Sequence, residues 1–128
     1  MSMKWAERNP ARLDLEMMLL DATAHGRFVR VGQSIGFEEE IIHDGIKYAL
    51  RIVFPDDYPY SPPRTHLLYP ALPITATIHR FADGGLCLFG PDEWRPTQTA
   101  LWVRNRAVAW IGALRNFSAT GTWAVHVR

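Results

Sequence analysis

The sequence predicts an α+β domain with an N-terminal helix, a four-stranded antiparallel meander, a long loop bearing Cys87, and a C-terminal helix. Three observations predict it. Apolar residues recur at helical spacing near both ends of the chain, the middle alternates with a period of two, and a proline-dense passage then interrupts regular structure. That order places the helices on one side of the sheet. With 128 residues, the chain forms one domain over 1–128, long enough to bury a real core.

Asn9 followed by Pro10 opens the first helix, because Asn can cap and proline at the first turn loses no needed N–H. Leu13, Met17, Leu20 and Ala24 then mark one face, and His25-Gly26 ends it. Three strand-like runs follow: Arg27 to Val31, Gly36 to Ile42, and Ile46 to Phe54. His43-Asp44-Gly45 joins the second and third as a tight hairpin. In the third run Tyr48, Leu50, Ile52 and Phe54 alternate with Lys47, Ala49, Arg51 and Val53, the pattern of a one-sided antiparallel strand.

The passage from Phe54 to Pro63 excludes helix and central strand, since each proline fixes φ and removes a donor. It predicts a structured turn pinned by aromatic rings. Thr65 to Tyr69 reads as the fourth strand, and Pro70 to Glu93 as an irregular region holding the cysteine. From Thr97 or Thr99 the last helix begins, with Ala107, Trp110, Ile111 and Leu114 as its apolar stripe. The tail from Gly121 to Val127 has strand-like composition.

Composition narrows the function. Fourteen basic against thirteen acidic residues leave a net charge of +1, without the excess of a dedicated nucleic-acid binder. Met1 to Arg8 lacks the apolar core of a signal peptide, and Arg104 and Arg106 interrupt the most apolar later stretch, so no membrane span is expected. A single cysteine cannot form an internal disulfide, which suits a reducing cytoplasm. His25, His43, His66, His79 and His126 are scattered, so neither a metal site nor a cofactor is expected. Glu38-Glu39-Glu40 reads as a solvated strand face or edge.

Cys87 follows Gly84-Gly85-Leu86, with His79 upstream and Trp94-Arg95-Pro96 downstream. This setting points to a displayed nucleophile, against the competing reading of a small buried hydrophobe. In an extended segment Leu86 and Leu88 point opposite to Cys87. Anchored leucines would turn the sulfur outward; a buried-sulfur register is equally allowed.

Three segments, in order, resemble the ubiquitin-conjugating enzyme family. Phe54-Pro55-Asp56-Asp57-Tyr58-Pro59-Tyr60-Ser61-Pro62-Pro63 looks like its proline-rich signature. His79 with Gly85-Leu86-Cys87-Leu88 is similar to its active-site segment, and Trp94-Arg95-Pro96-Thr97-Gln98-Thr99 to the Trp-x-Pro-x-x-Thr that follows. The departures are His79-Arg80-Phe81 where the family has His-Pro-Asn, a shorter interval from His79 to Cys87, and a truncated C-terminal part. They resemble the short, divergent bacterial members associated with antiviral-defence operons.

The resemblance implies a ubiquitin-conjugating-like fold and a transferase in which Cys87 accepts a ubiquitin-like modifier from an activating enzyme as a thioester, then passes it to a target protein. Only the thiolate attacks well, and His79, Arg80 and Arg95 are the cationic groups near enough in sequence to favour it. The main-chain N–H groups of Gly84 and Gly85 are candidate substitutes for the missing Asn as oxyanion donors, or else form a plain turn. Asp83 or Asp92 is the candidate to orient or deprotonate an incoming amine. His79 serves either as a structural residue bonding the loop backbone or as a general base. Tyr60, Pro62, Pro63, Trp94 and Pro96 are candidate partner contacts, since proline and aromatic loop tips make stiff surfaces; core packing competes for Trp94. Lys4, Arg8 and Arg12 form a basic stripe if the helix begins before Pro10, and in the family such residues meet the activating enzyme. The alternative function is a non-conjugating regulator of a partner such as a defence nucleotidyltransferase, joined through an intermolecular disulfide at Cys87.

Overall fold

The computed structural model describes residues 4–123. A short helix α1 (Lys4–Arg8) leads into helix α2 (Pro10–Thr23). The Asn9 side chain accepts the Arg12 amide at 3.1 Å and Pro10 sits in the first turn, as the Asn-Pro pair predicts. Of the expected α2 stripe, Leu20 and Ala24 are buried and Leu13 is half-buried, but Met17 is 38 % exposed. Glu16 is the residue that goes inside, at 0 % exposure. A carboxylate can occupy that position only because the rest of the fold supplies its donors, as the next subsection describes.

Strands β1 (Gly26–Val31), β2 (Ser34–His43), β3 (Ile46–Val53) and β4 (Arg64–Tyr69) pair in sequence order as one antiparallel meander. Each agrees with the expected runs to within two residues at either end. The β2–β3 connection is Asp44-Gly45, with φ of +52° and +76°. Two successive positive φ values match the twist of the flanking strands, and Asp-Gly accepts them at little cost. The β3 alternation is also borne out: Tyr48, Leu50, Ile52 and Phe54 are all buried.

The glutamate triplet departs from expectation. Glu39 shares a face with Phe37 and Ile41, two residues away on either side, which sends it to the helix-covered face, where it is buried. There the Arg104 guanidinium donates to both its oxygens, at 2.9 and 2.8 Å. Glu38 lies on the opposite face and accepts from Arg51 across the β2–β3 ladder at 2.7 Å. Glu40 alone is solvated in the sense expected.

Helix α3 (Ala100–Thr120) starts behind Thr99, whose hydroxyl accepts from the Trp102 amide at 3.5 Å. Its stripe of Val103, Ala107, Trp110, Ile111 and Leu114 joins Phe37, Leu50 and Ile52 in one core, so the helices cover one face of the sheet. After α3 the chain turns at Gly121, and Gly121–Trp123 do not form the expected strand; the remainder of that run lies outside the described residues. Among the described residues no helix is long and apolar enough to cross a membrane.

Candidate functional site

The proline passage folds as consecutive turns. The Tyr58 amide donates to the Pro55 carbonyl at 3.1 Å, and the Tyr60 amide to that of Asp57 at 2.9 Å. Tyr58 is pinned edge-on against Trp5 and Phe54, each with ring centroids 4.8 Å away. The aromatic pinning expected from sequence is therefore present, and it fixes one wall of a groove.

The opposite wall is the cysteine segment. The Leu86 amide donates to the Thr65 carbonyl of β4 at 2.8 Å, and His66 and Gly85 form a single antiparallel bridge. On the other side, the Cys87 amide donates to the His79 carbonyl and the Phe81 amide to the Gly85 carbonyl, both at 2.8 Å. Gly84 makes the reversal between them at φ +89°, a conformation that a Cβ would strain. With its backbone held on both sides, the segment buries Leu86 (4 %) and Leu88 (3 %) and leaves Cys87 half-exposed. Of the two registers open to the sequence, the outward-sulfur one is adopted.

Cys87 opens into a groove of about 600 Å³ lined also by Tyr60, Pro62, Pro63, Phe81 and Trp94. Four expected partner residues thus converge on the thiol from separate parts of the chain. Their roles differ. Tyr60 is 77 % exposed and free to make contacts, whereas Pro63 and Trp94 are buried and build the wall. The Trp94 indole donates to the Pro59 carbonyl at 2.8 Å, tying the segment after Cys87 to the proline turn.

Several expected roles are corrected. Asp83 accepts the Gly85 amide on one oxygen at 2.9 Å and the Arg64 guanidinium on the other at 2.6 Å. The Gly85 hydrogen bond, aided by Arg64, holds its carboxyl below the usual carboxylate range, which weakens it as a base. The Gly85 amide is engaged by Asp83 and the Gly84 amide by the Phe81 carbonyl at 2.9 Å, so neither donor faces an incoming oxyanion. His79 holds the Cys87 amide through its carbonyl, while its ring stacks on Trp123 at 4.7 Å. That is the structural role among its two expectations. Arg80 donates to the Leu72 and Gly84 carbonyls, both at 2.9 Å, and Arg95 to the Asp92 carbonyl at 2.7 Å.

Arg12 is corrected most strongly. Although α1 precedes Pro10, Arg12 offers no cation to a partner: its side chain is 12 % exposed and turned inward. It donates to Glu16 and to the Pro96 carbonyl, each at 2.8 Å, to the Tyr58 hydroxyl at 3.1 Å, and to the Gln98 carbonyl. Pro96 therefore belongs to this clamp rather than to the groove. Glu16, which sequence reasoning missed, also accepts the Tyr58 hydroxyl and the amide of Ala100, the first residue of α3, at 2.9 Å. Its signal was available: it stands three residues after Leu13 and four before Leu20, on their face. Burial raises the Tyr58 hydroxyl above its ordinary pKa, and the neighbouring Glu16 charge adds to this.

His66, also missed, faces the outer side of β4 beside this site. Burial holds its imidazole below the usual range; Asp83 opposes that, and the Arg64, Arg51 and Arg80 charges reinforce it. Among the described residues no group of His, Cys, Asp and Glu could hold a metal ion. No protein-family model matches the chain, and no curated protein matches it significantly.

Proposed function

We propose that Cys87 carries a ubiquitin-like modifier as a thioester, accepting it from an activating enzyme and passing it to an amine of a target protein, in the manner of a short bacterial conjugating enzyme of antiviral defence. The observation that carries this reading is the register of the cysteine segment. Leu86 and Leu88 are anchored in the core, and the sulfur between them opens into a groove of about 600 Å³. Chemically, the Cys87 thiolate attacks the activated carbonyl carbon, the activating enzyme's thiolate departs, and the carbonyl keeps its acyl chain on the new sulfur. The target amine then attacks the same carbon, loses a proton, and releases the Cys87 thiolate. Asp83 is tied to Gly85 and Arg64, so Asp92, exposed beside groove-lining Pro91, is the carboxylate left to take that proton.

Reconstitution with a ubiquitin-like modifier and its cognate activating enzyme tests the reading. The expected product is a protein adduct stable on a nonreducing gel, removed by hydroxylamine and by reductant, and absent from Cys87→Ala. No adduct with intact protein and an active activating enzyme refutes transfer.

One observation favours a second reading. Phe81 stands at the groove where the family has Asn, and the Gly84 and Gly85 amides are already bonded. A site whose expected oxyanion donors are missing or already bonded suits a regulator that holds a partner, such as a defence nucleotidyltransferase, through a disulfide at Cys87. A co-purified heterodimer that reductant splits and hydroxylamine does not would support this reading over the first.

A further inference from the structure

The ring that stacks on His79 comes from the far end of the described chain. After α3 the backbone reverses at Gly121, whose amide donates to the Phe117 carbonyl at 2.7 Å. Trp123 then returns over the core, with ring centroids 5.9 Å from Trp110 and 6.2 Å from Phe117. Its indole lies nearly parallel to the His79 ring, at 18° and 4.7 Å. His79 is in turn one of two non-glycine residues with positive φ among the described residues, at +55°. Such a conformation persists only where the surroundings hold it. From His79 one hydrogen bond reaches the thiol-bearing residue, His79 carbonyl to Cys87 amide.

We infer that Gly121–Trp123 is a strap that sets how firmly the Cys87 segment is held, so that events at the C-terminal end of α3 reach the thiol through the ring of Trp123 and the backbone of His79. The strap is built to yield. Trp123 Nε1 is buried without a hydrogen-bond partner among the described residues, and what docks the ring among them is packing against Trp110, Phe117 and His79. The neighbouring anchor is of the opposite kind: the fully buried Trp110 indole donates to the Ile78 carbonyl at 3.0 Å, a bond made without Trp123. Lifting Trp123 therefore releases His79 from its left-handed conformation without unfolding the loop before it. A partner that binds this end of the chain and captures the indole would loosen the thiol segment from a distance.

Amide exchange followed by NMR on the intact chain tests this, with Trp123→Ala and Trp123→Phe. For Trp123→Ala, the Cys87 amide is expected to exchange about tenfold faster, the upper end of what one aromatic pair contributes. Exchange at Leu50 and Ile52 in β3 stays unchanged, Cys87 reacts faster with iodoacetamide, and Trp123→Phe restores both readouts. An unchanged Cys87 amide, or one that accelerates in step with β3, overturns the strap. None of these readouts needs a modifier or an activating enzyme, so the strap and the thioester reading fail separately.

Discussion

The two flanks of Cys87 are held by different physics. Downstream, Pro96 to Ala100 is fastened to α2 by Glu16 and Arg12, two side chains withdrawn from water and bonded to each other, to Tyr58 and to three backbone groups. Upstream, the loop from Leu72 to Gly85 is anchored at Ile78 by the buried Trp110 indole, but nearer the cysteine it is held by ring stacking on His79, by Arg80 on carbonyls and by an Arg64–Asp83 pair whose side chains are 46 % and 59 % exposed. A buried ionic network resists partial loss, because removing one member strands the others. An exposed pair gives way at little cost. The cysteine thus sits between a fixed post and a compliant one, and adjustments to a ligand fall upstream, where Phe81 rims the groove.

Mutations at the two flanks should differ accordingly. Glu16→Ala is expected to cost about 3–5 kcal/mol in urea unfolding, since it leaves Arg12 unpaired and frees the Ala100 amide. A loss below about 1 kcal/mol, the scale of an exposed ion pair, would erase the distinction between the flanks. Tyr58→Phe removes a single donor to Glu16, and about 1–2 kcal/mol is expected.

The Tyr58 hydroxyl also predicts an alkaline limb. Its folded pKa is raised above the ordinary 10.0, so the fold favours the neutral form. Its contribution is complete below pH 10 and is lost progressively as pH climbs beyond it. Denaturation midpoints measured upward from that point should fall in the wild type and fall less steeply in Tyr58→Phe.

The smallest effect belongs upstream. Arg64→Gln should leave the urea midpoint within measurement error, the usual outcome for an exposed pair. The Asp83 carboxyl still reports locally: its folded pKa lies below the ordinary 3.8, so its hold on Gly85 is complete above that value and is lost as pH falls beneath it. The Gly85 amide resonance should move in that acid range while β3 resonances stay fixed, and simultaneous movement would count against a local upstream tether.

What was legible in the sequence follows the same division between local and distant causes. Alternation through Tyr48, Leu50, Ile52 and Phe54, the Asp44-Gly45 turn and the Asn9-Pro10 opening are short-range signals, and the fold obeys them. The convergence of Tyr60, Pro62, Pro63 and Trp94 on Cys87 was legible as a set of candidates, though not as a split between exposed contact and buried wall. Glu16 and Arg12 were not read because their partners, Tyr58, Pro96, Gln98 and Ala100, lie far along the chain. Helical spacing puts Met17 and Glu16 equally on the face of Leu13 and Leu20, and hydrophobicity ranks Met17 first; only the tertiary donors reverse that order. Glu39 is the same lesson in the sheet, since its counterion Arg104 comes from α3. The engagement of the Gly84 and Gly85 amides is local, a turn back to the Phe81 carbonyl and an Asx turn on Asp83, so the Asp83-Gly84-Gly85 run carried a signal that went unread.

β4 forms one margin of the sheet, and Gly85 and Leu86 cover its middle by bonding to His66 and Thr65. A bare margin of this kind is a template on which another chain can add a strand. The cysteine segment therefore also guards against self-association: whatever peels Gly85 and Leu86 away uncovers the backbone of Thr65 and His66 as a free edge, and a conformer loosened there carries a built-in tendency to clump.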